Sequence, residues 1–137
     1  MPDDALVDTD VASTLHRAQL FTERAPAAVV TVIHNRNLFV SVVTLGEALY
    51  GATRRKWSAR RTARLHDFYT ARFAVVSVDS EVAVEYARLR SATESLGRPV
   101  AANDLWIAAS ATANGLPIVT LNRRHFEPLT LHGLTLL

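Results

Sequence analysis

Oxygen-bearing side chains recur in the sequence at points where a strand or a helix is expected to begin or end. Asp8 and Asp10 follow a short apolar run, Glu47 and Asp104 each stand alone in an uncharged stretch, and Asn122 follows another apolar run. Carboxylates held close together raise one another's pKa unless a cation neutralises them. Because oxygen ligands suit Mg²⁺ and Mn²⁺, the pattern predicts an acidic centre for a hard divalent ion.

Each acid also has a structural explanation. Asp8 and Asp104 can cap helices, which is the usual role of an aspartate at a helix start. Glu47 can be a solvent-facing residue, although it is the one charged residue between Arg36 and Arg54. The sequence alone leaves both explanations open for each acid.

The elements that must position these acids alternate between short apolar runs and amphipathic segments. Such alternation is typical of a parallel sheet covered by helices on both faces, so the predicted fold class is α/β. Ligands bind such sheets beyond the carboxyl ends of the strands, which would bring the acids to one edge. The predicted strands are 5–8, 38–42, 74–78, 116–120 and 134–137. One predicted helix begins near Val11 and another after a cap at Ser58. The other predicted helices cover 26–35, 44–54, 79–96 and 103–113.

The helix over 79–96 has the clearest pattern. Residues suited to a core-facing stripe recur at intervals of three or four from Val82 to Leu96. Gly97 then follows as a residue that ends helices.

Length and composition narrow the class of protein. The 137 residues, 49% of them hydrophobic and 20% charged, fit one globular domain over 1–137. No apolar run is long enough for a membrane span, so we expect a soluble cytoplasmic protein. The absence of cysteine excludes a disulfide framework, a thiolate zinc site and a cysteine nucleophile.

Positive charge is concentrated in one segment, which we call the basic island. It spans 54–64 and contains no acid, although the net charge of the whole chain is only +2. A segment of this kind is typical of a protein that binds a polyanion, and it is also found as a solvated helix face. Its six cationic residues are Arg54, Arg55, Lys56, Arg60, Arg61 and Arg64.

Four motifs in this order resemble the PIN-domain ribonucleases, and in particular the VapC-type toxins of bacterial toxin–antitoxin pairs. They are LVDTDV at 6–11, SVVTLGEALYGA at 41–52, GRPVAANDLWIAASA at 97–111 and LPIVTLNRRHF at 116–126. The resemblance covers almost the whole chain. It implies a three-layer α/β/α fold with a central parallel sheet of about four to five strands.

The resemblance also implies roles for individual residues. Asp8, Glu47 and Asp104 match the acids that bind Mg²⁺ or Mn²⁺ and are required for RNA cleavage in that family. Thr9 and Thr120 match hydroxyl residues that support this centre, and Asp10 would add a carboxylate where the family often has Asn or Ser. The expected RNA contacts are the cationic residues of the basic island together with Arg123 and Arg124.

The segment after the fourth predicted strand departs from the family pattern. The family usually carries a further acid there, whereas this chain has Asn122 and His125 at the two polar positions. A second metal ion is therefore in doubt, and Asn122 is expected to support the site as a neutral residue.

The expected function is that of a Mg²⁺-dependent endoribonuclease toxin that cleaves structured RNA, such as tRNA or ribosomal RNA, and inhibits translation. The resemblance implies a homodimer bound by a small antitoxin. The alternative is a PIN-like module that binds RNA or protein without cleavage. A haloacid-dehalogenase-type phosphatase also begins with Asp-x-Asp, but Ala12 stands where Thr or Val is needed, and no lysine follows Lys56.

Overall fold

Within residues 3–21 and 26–137, which the computed structural model describes, four short strands form one parallel sheet. Their order across the sheet is β3-β2-β1-β4. The predicted strand at 134–137 is wrong, because in this segment the sheet gains only a single parallel bridge between Ile118 and Leu136. The strands are β1 (Asp4–Val7), β2 (Asn37–Ser41), β3 (Ala74–Val76) and β4 (Ile118–Val119).

Some of the helices begin where a short polar side chain accepts a backbone hydrogen bond. Ser41 Oγ accepts from Val43 N at 3.1 Å, and Ser58 Oγ accepts from Arg61 N at 3.1 Å. Such caps satisfy amides that have no partner within the helix. The helices in the described part of the chain are α1 (Thr9–Phe21), α2 (Ala27–Ile33), α3 (Val42–Arg54), α4 (Ala59–Arg72), α5 (Ser80–Ser95), α6 (Ala102–Ala113) and α7 (Arg123–Thr130).

The alternation of side chains along β1 divides the core into two layers. Ala5 and Val7 pack with residues of α1 to α4 on one face of the sheet, whereas Leu6 packs with residues of α5 to α7 on the other. Ile118 and Val119 of β4 divide in the same way. This arrangement confirms the predicted α/β/α layers.

Two predictions about the carboxyl-terminal half need correction. Leu96 is not part of the buried stripe, since α5 ends one residue earlier and the Leu96 side chain is 54% exposed. Helix α7 has no counterpart among the predicted helices, and it contains Pro128, which removes a backbone hydrogen bond. The helix nevertheless forms because Phe126, Pro128 and Leu129 are buried.

The strand order produces a crevice at one end of the sheet. The chain proceeds from β1 to β2 and β3 in one direction, and then β4 pairs with the opposite side of β1. Ligands bind open α/β sheets at such a reversal, beyond the carboxyl ends of the strands. Asp8 follows β1 and Thr120 follows β4, so both lie at this point.

No helix in the described ranges is long and apolar enough to cross a membrane.

Candidate functional site

Asp8 lies at the carboxyl end of β1 with only 4% of its surface exposed. Its Oδ1 accepts a hydrogen bond from Val11 N at 2.9 Å, and its Oδ2 accepts one from Thr120 Oγ1 at 2.5 Å. Burial raises the pKa of Asp8 to about 6, although both hydrogen bonds favour the charged form; Asp10 and Asp104 raise it further. Asp8 therefore caps α1 with one oxygen. Its carboxylate is also a buried charge at the switch point, the place where the strand order reverses at β1.

Thr120 connects β4 to this carboxylate. Its hydroxyl donates to Asp8 and accepts a hydrogen bond from Asn122 N at 2.9 Å. The backbone after β4 thus fixes the direction in which the hydroxyl proton points. Thr120 holds one oxygen of Asp8 in place.

Glu47 is presented by α3 and is half-buried. Thr9 Oγ1 donates to Glu47 Oε1 at 2.8 Å and lies 3.3 Å from Thr44 Oγ1. Because Thr9 has one hydroxyl proton and gives it to Glu47, the buried Thr44 is the donor to Thr9. Sequence reasoning missed Thr44, although its position three residues before Glu47 places both on one face of the helix.

Asp104 lies in the first turn of α6, but it does not cap that helix. The cap residue is Ala101, and no side chain accepts a hydrogen bond there. Burial raises the pKa of Asp104, His125 lowers it, and Glu47 and Asp10 raise it. His125 Nδ1 lies 3.5 Å from Asp104 Oδ2. The capping explanation is therefore wrong for Asp104, whose surroundings are the other acids.

Asn122 is placed against Asp10. Its side-chain amide donates to Asp10 Oδ2. Both residues in which this chain departs from the expected pattern therefore contact an acid: Asn122 contacts Asp10, and His125 lies beside Asp104.

The acids that the sequence singled out are close enough to affect one another: besides burial, Asp10 and Asp104 raise the pKa of Asp8, and Glu47 and Asp10 raise that of Asp104. Comparison with known proteins identifies the family of the chain. The family model of the PIN domain matches residues 5–128. The chain belongs to the PIN-domain family.

Relatives place this PIN domain among the VapC-type proteins. It is 35% identical over 111 residues to the tRNA(fMet)-specific endonuclease VapC of Shigella flexneri, a match over 79% of this chain and 83% of the relative. The structure of VapBC-5, from the VapBC family of toxin–antitoxin systems of Mycobacterium tuberculosis, matches with a TM-score of 0.68 and 29% identity, over 93% and 91% of the two chains. VapBC2 of Rickettsia felis, at 21% identity and a TM-score of 0.76 over 98% and 97%, supports the fold alone.

PIN-domain nucleases generally use divalent metal ions, and carboxylate oxygens such as those of Asp8, Glu47 and Asp104 are ligands that hard divalent ions accept. Within residues 3–21 and 26–137, no group of three or more acidic or histidine side chains is arranged to ligate a single ion directly. Mg²⁺ usually binds one or two carboxylates and retains several waters, so it does not need such a group. Burial raises the pKa of Asp8, and a bound cation would offset the cost of its buried charge.

Part of the basic island opens toward these acids. The residues that line a cavity of about 500 Å³ include Thr9, Glu47, Arg55 and Arg61. A larger cavity of about 900 Å³ continues past Arg60 and Arg64.

The other expected RNA contacts lie elsewhere. Arg54 lies beside Tyr50, 6.0 Å from the ring centroid, and Lys56 occupies the left-handed backbone region after α3. Arg123 donates to the backbone carbonyl of Leu137 at 2.7 Å. Neither Arg123 nor Arg124 is among the described residues that line the two cavities.

The burial of Asp8 predicts a pH-dependent effect of Asp8→Asn on stability in the metal-free protein. The pKa of Asp8 in the folded protein, about 6, lies above its usual value of 3.8. The contribution of protonated Asp8 to stability is therefore complete below about pH 4 and is lost as the pH rises through 6. At about pH 7.5 in EDTA, we expect Asp8→Asn to raise the free energy of unfolding by up to about 3 kcal/mol. The gain should vanish near about pH 4.

Urea unfolding at both pH values measures this effect, and Asp79→Asn is its matched control. Asp79 caps α5 through the same kind of bond, from Val82 N at 3.0 Å, but it is exposed. No pH-dependent gain is expected for the control. An Asp8→Asn protein that is less stable than the parent at both pH values would contradict the burial cost.

Proposed function

We propose that this PIN domain is a metal-dependent endoribonuclease toxin that cleaves structured RNA, with Asp8, Glu47 and Asp104 as its catalytic acids. The class of activity, a ribonuclease of a toxin–antitoxin pair, follows from the VapC-type relatives. The observation that carries the assignment of residues is the convergence of the acids at the switch point. Asp10 and Asp104 add to the effect of burial in raising the pKa of Asp8. Glu47 and Asp10 do the same for the pKa of Asp104.

Asp8, Glu47 and Asp104 would hold Mg²⁺, or Mn²⁺ in its place, either directly or through the waters that the ion retains. When bound, the ion supplies positive charge that offsets the carboxylates and stabilises negative charge on a phosphate. The chain's own hydrogen bonds hold the ligands ready. Thr120 and the Val11 amide fix both oxygens of Asp8, and Thr9 fixes Glu47. We expect RNA products with 5′-phosphate and 3′-hydroxyl ends.

Structured RNA such as tRNA or ribosomal RNA is the proposed substrate, and its cleavage would inhibit translation. The relative from Shigella flexneri is named for an initiator tRNA, which supports this class of RNA. The basic island would hold the phosphate backbone independently of sequence, so specificity must come from RNA shape and unpaired bases.

A cognate antitoxin is the expected protein partner, since the solved relatives are VapBC complexes. We propose that it inhibits by placing a basic side chain into the acidic centre. We further propose that the toxin is a homodimer and acts in the cytoplasm. The alternative function, an RNA- or protein-binding module without cleavage, is separated from ours by an assay for metal-dependent RNA cleavage.

Neutral variants of the three acids test the catalytic assignment. Each of the substitutions Asp8→Asn, Glu47→Gln and Asp104→Asn removes a negative ligand with little change in volume. Because these ligands are expected to stabilise the transition state, the rate of RNA cleavage should fall by at least about a hundredfold. Circular dichroism should show that the fold persists. Glu81→Gln, at an exposed position in the first turn of α5, is the control and should cleave as the parent does. Full activity in all three variants would refute the assignment.

Salt dependence tests the basic island. The logarithm of RNA affinity falls with the logarithm of salt concentration by roughly 0.7 for each phosphate contact of a single strand. Gln substitutions at Arg55, Arg60, Arg61 and Arg64, made one at a time, should flatten this slope wherever the side chain touches phosphate. Arg98→Gln, at an exposed position outside the island, should leave the slope unchanged. Unchanged slopes in all four variants, with altered assembly mass, would assign the island to a protein interface instead.

Asn122→Asp tests whether the neutral residue limits metal binding. The substitution replaces an amide that donates to Asp10 with a second carboxylate, and two adjacent carboxylates favour a cation between them. We expect tighter Mn²⁺ binding by calorimetry, and Asn114→Asp, at the end of α6, is the control. Equal affinity and stoichiometry in the parent and the Asn122 variant would show that this position has no role in metal binding.

A further inference from the structure

The larger cavity lies between α1 and α4, and it has an aromatic floor. His16 is only 6% exposed, and its ring is tilted against Phe68 with centroids 4.9 Å apart. Leu65 is buried beneath the cavity, and Trp57 lines it from the loop before α4. The volume of about 900 Å³ is in the range of sites that bind small molecules. The cavity has room for an aromatic group that would lie against these rings.

The rim of this aromatic cavity is cationic. The described lining residues include one acid, Asp67, and four arginines: Arg60, Arg61, Arg64 and Arg72. The Arg61 guanidinium lies over the Trp57 ring at 3.6 Å from the centroid. Bases stack on aromatic rings and on guanidinium planes, and arginine also pairs with phosphate. An aromatic floor inside a cationic rim fits a nucleotide.

The aromatic cavity is continuous with the acidic centre. Four residues, His16, Trp57, Arg61 and Leu65, line both it and the smaller cavity. The smaller cavity also reaches Thr9 and Glu47. A strand whose phosphate lies at the acids would therefore have its neighbouring nucleotides along this path.

We propose that the aromatic cavity binds one unstacked base of the RNA substrate, close to the cleaved bond, while the arginine rim holds its phosphate. The inference rests on the proposed function, because it takes RNA as the substrate. Burial together with Arg61 and Arg17 lowers the pKa of His16, so its ring is neutral near pH 7 and presents one donor and one acceptor. An acidic peptide would match the rim, but the aromatic floor and the path to Glu47 favour RNA.

Ala71→Trp is designed to fill the cavity. Ala71 is an exposed residue of α4 that lines the cavity and contributes neither charge nor an aromatic ring. Ala63→Trp is the matched control, since it makes the same change at an exposed position of the same helix outside the lining. Trp57→Ala and Trp57→Phe form a second pair, in which the phenyl ring should restore binding that alanine loses.

The measurement is fluorescence anisotropy with a labelled single-stranded RNA of about twelve nucleotides, a length that one binding groove can cover. EDTA prevents cleavage, and a series of RNAs carries one abasic site at each position in turn. In the parent protein, one or two adjacent positions should lose about five- to a hundredfold in affinity, the range for removal of a stacked base. Ala71→Trp should weaken binding of the intact RNA and abolish this position dependence, whereas Ala63→Trp should behave as the parent.

Separate readouts distinguish the inference from the function on which it rests. A flat abasic profile in a parent protein that cleaves RNA with Mn²⁺ would overturn the base site and leave the nuclease assignment intact. Normal RNA binding by Ala71→Trp, with loss of antitoxin binding, would assign the cavity to the antitoxin and also overturn the inference. A position-dependent profile without cleavage in Mg²⁺ or Mn²⁺ would support the base site and refute the nuclease.

Discussion

The buried carboxylate of Asp8 is the feature on which the site depends. β1 carries this side chain to the edge where β4 lies, and the Thr120 hydroxyl and the Val11 amide satisfy its two oxygens. Neutral donors orient a charge but do not cancel it, so part of the cost of burial remains and the pKa is raised. Hydrophobic packing on both faces of the sheet supplies the stability that allows the protein to retain this charge.

The three-layer architecture brings Glu47 and Asp104 toward Asp8 from opposite faces of the sheet. Glu47 belongs to α3, which packs on one face of the sheet, and Asp104 belongs to α6 on the other. Asp8 lies between them at the end of β1. The acidic centre therefore requires both layers and the reversal of strand order to form at once, and no local segment contains it. The basic island adjoins the layer that carries Glu47, which places positive charge on one side of the centre.

Sequence patterns predicted the elements well where apolar spacing was regular, as in α5, and the order of acids was sufficient to indicate one edge of a parallel sheet. For Asp8, a capping role does not exclude a site role, because Oδ1 caps α1 whereas Oδ2 accepts from Thr120 after β4. Helix α7 could not be predicted from local sequence, because it is stabilised by contacts with distant segments. These contacts outweigh the loss of a backbone hydrogen bond at Pro128. The aromatic cavity was missed for a related reason: His16 and Phe68 belong to different helices, and only tertiary packing joins them.

Asn122 and His125 have a shared physical consequence for the acidic centre. Acids at these positions would add negative charge where burial and mutual repulsion already raise the pKa of Asp8 and Asp104. The residues present act in the opposite direction, because the Asn122 amide donates to Asp10 and His125 lowers the pKa of Asp104. Both residues therefore reduce the repulsion between the carboxylates when no cation is bound. They also leave fewer anionic ligands for a second ion, which supports the proposal of a centre with one divalent ion.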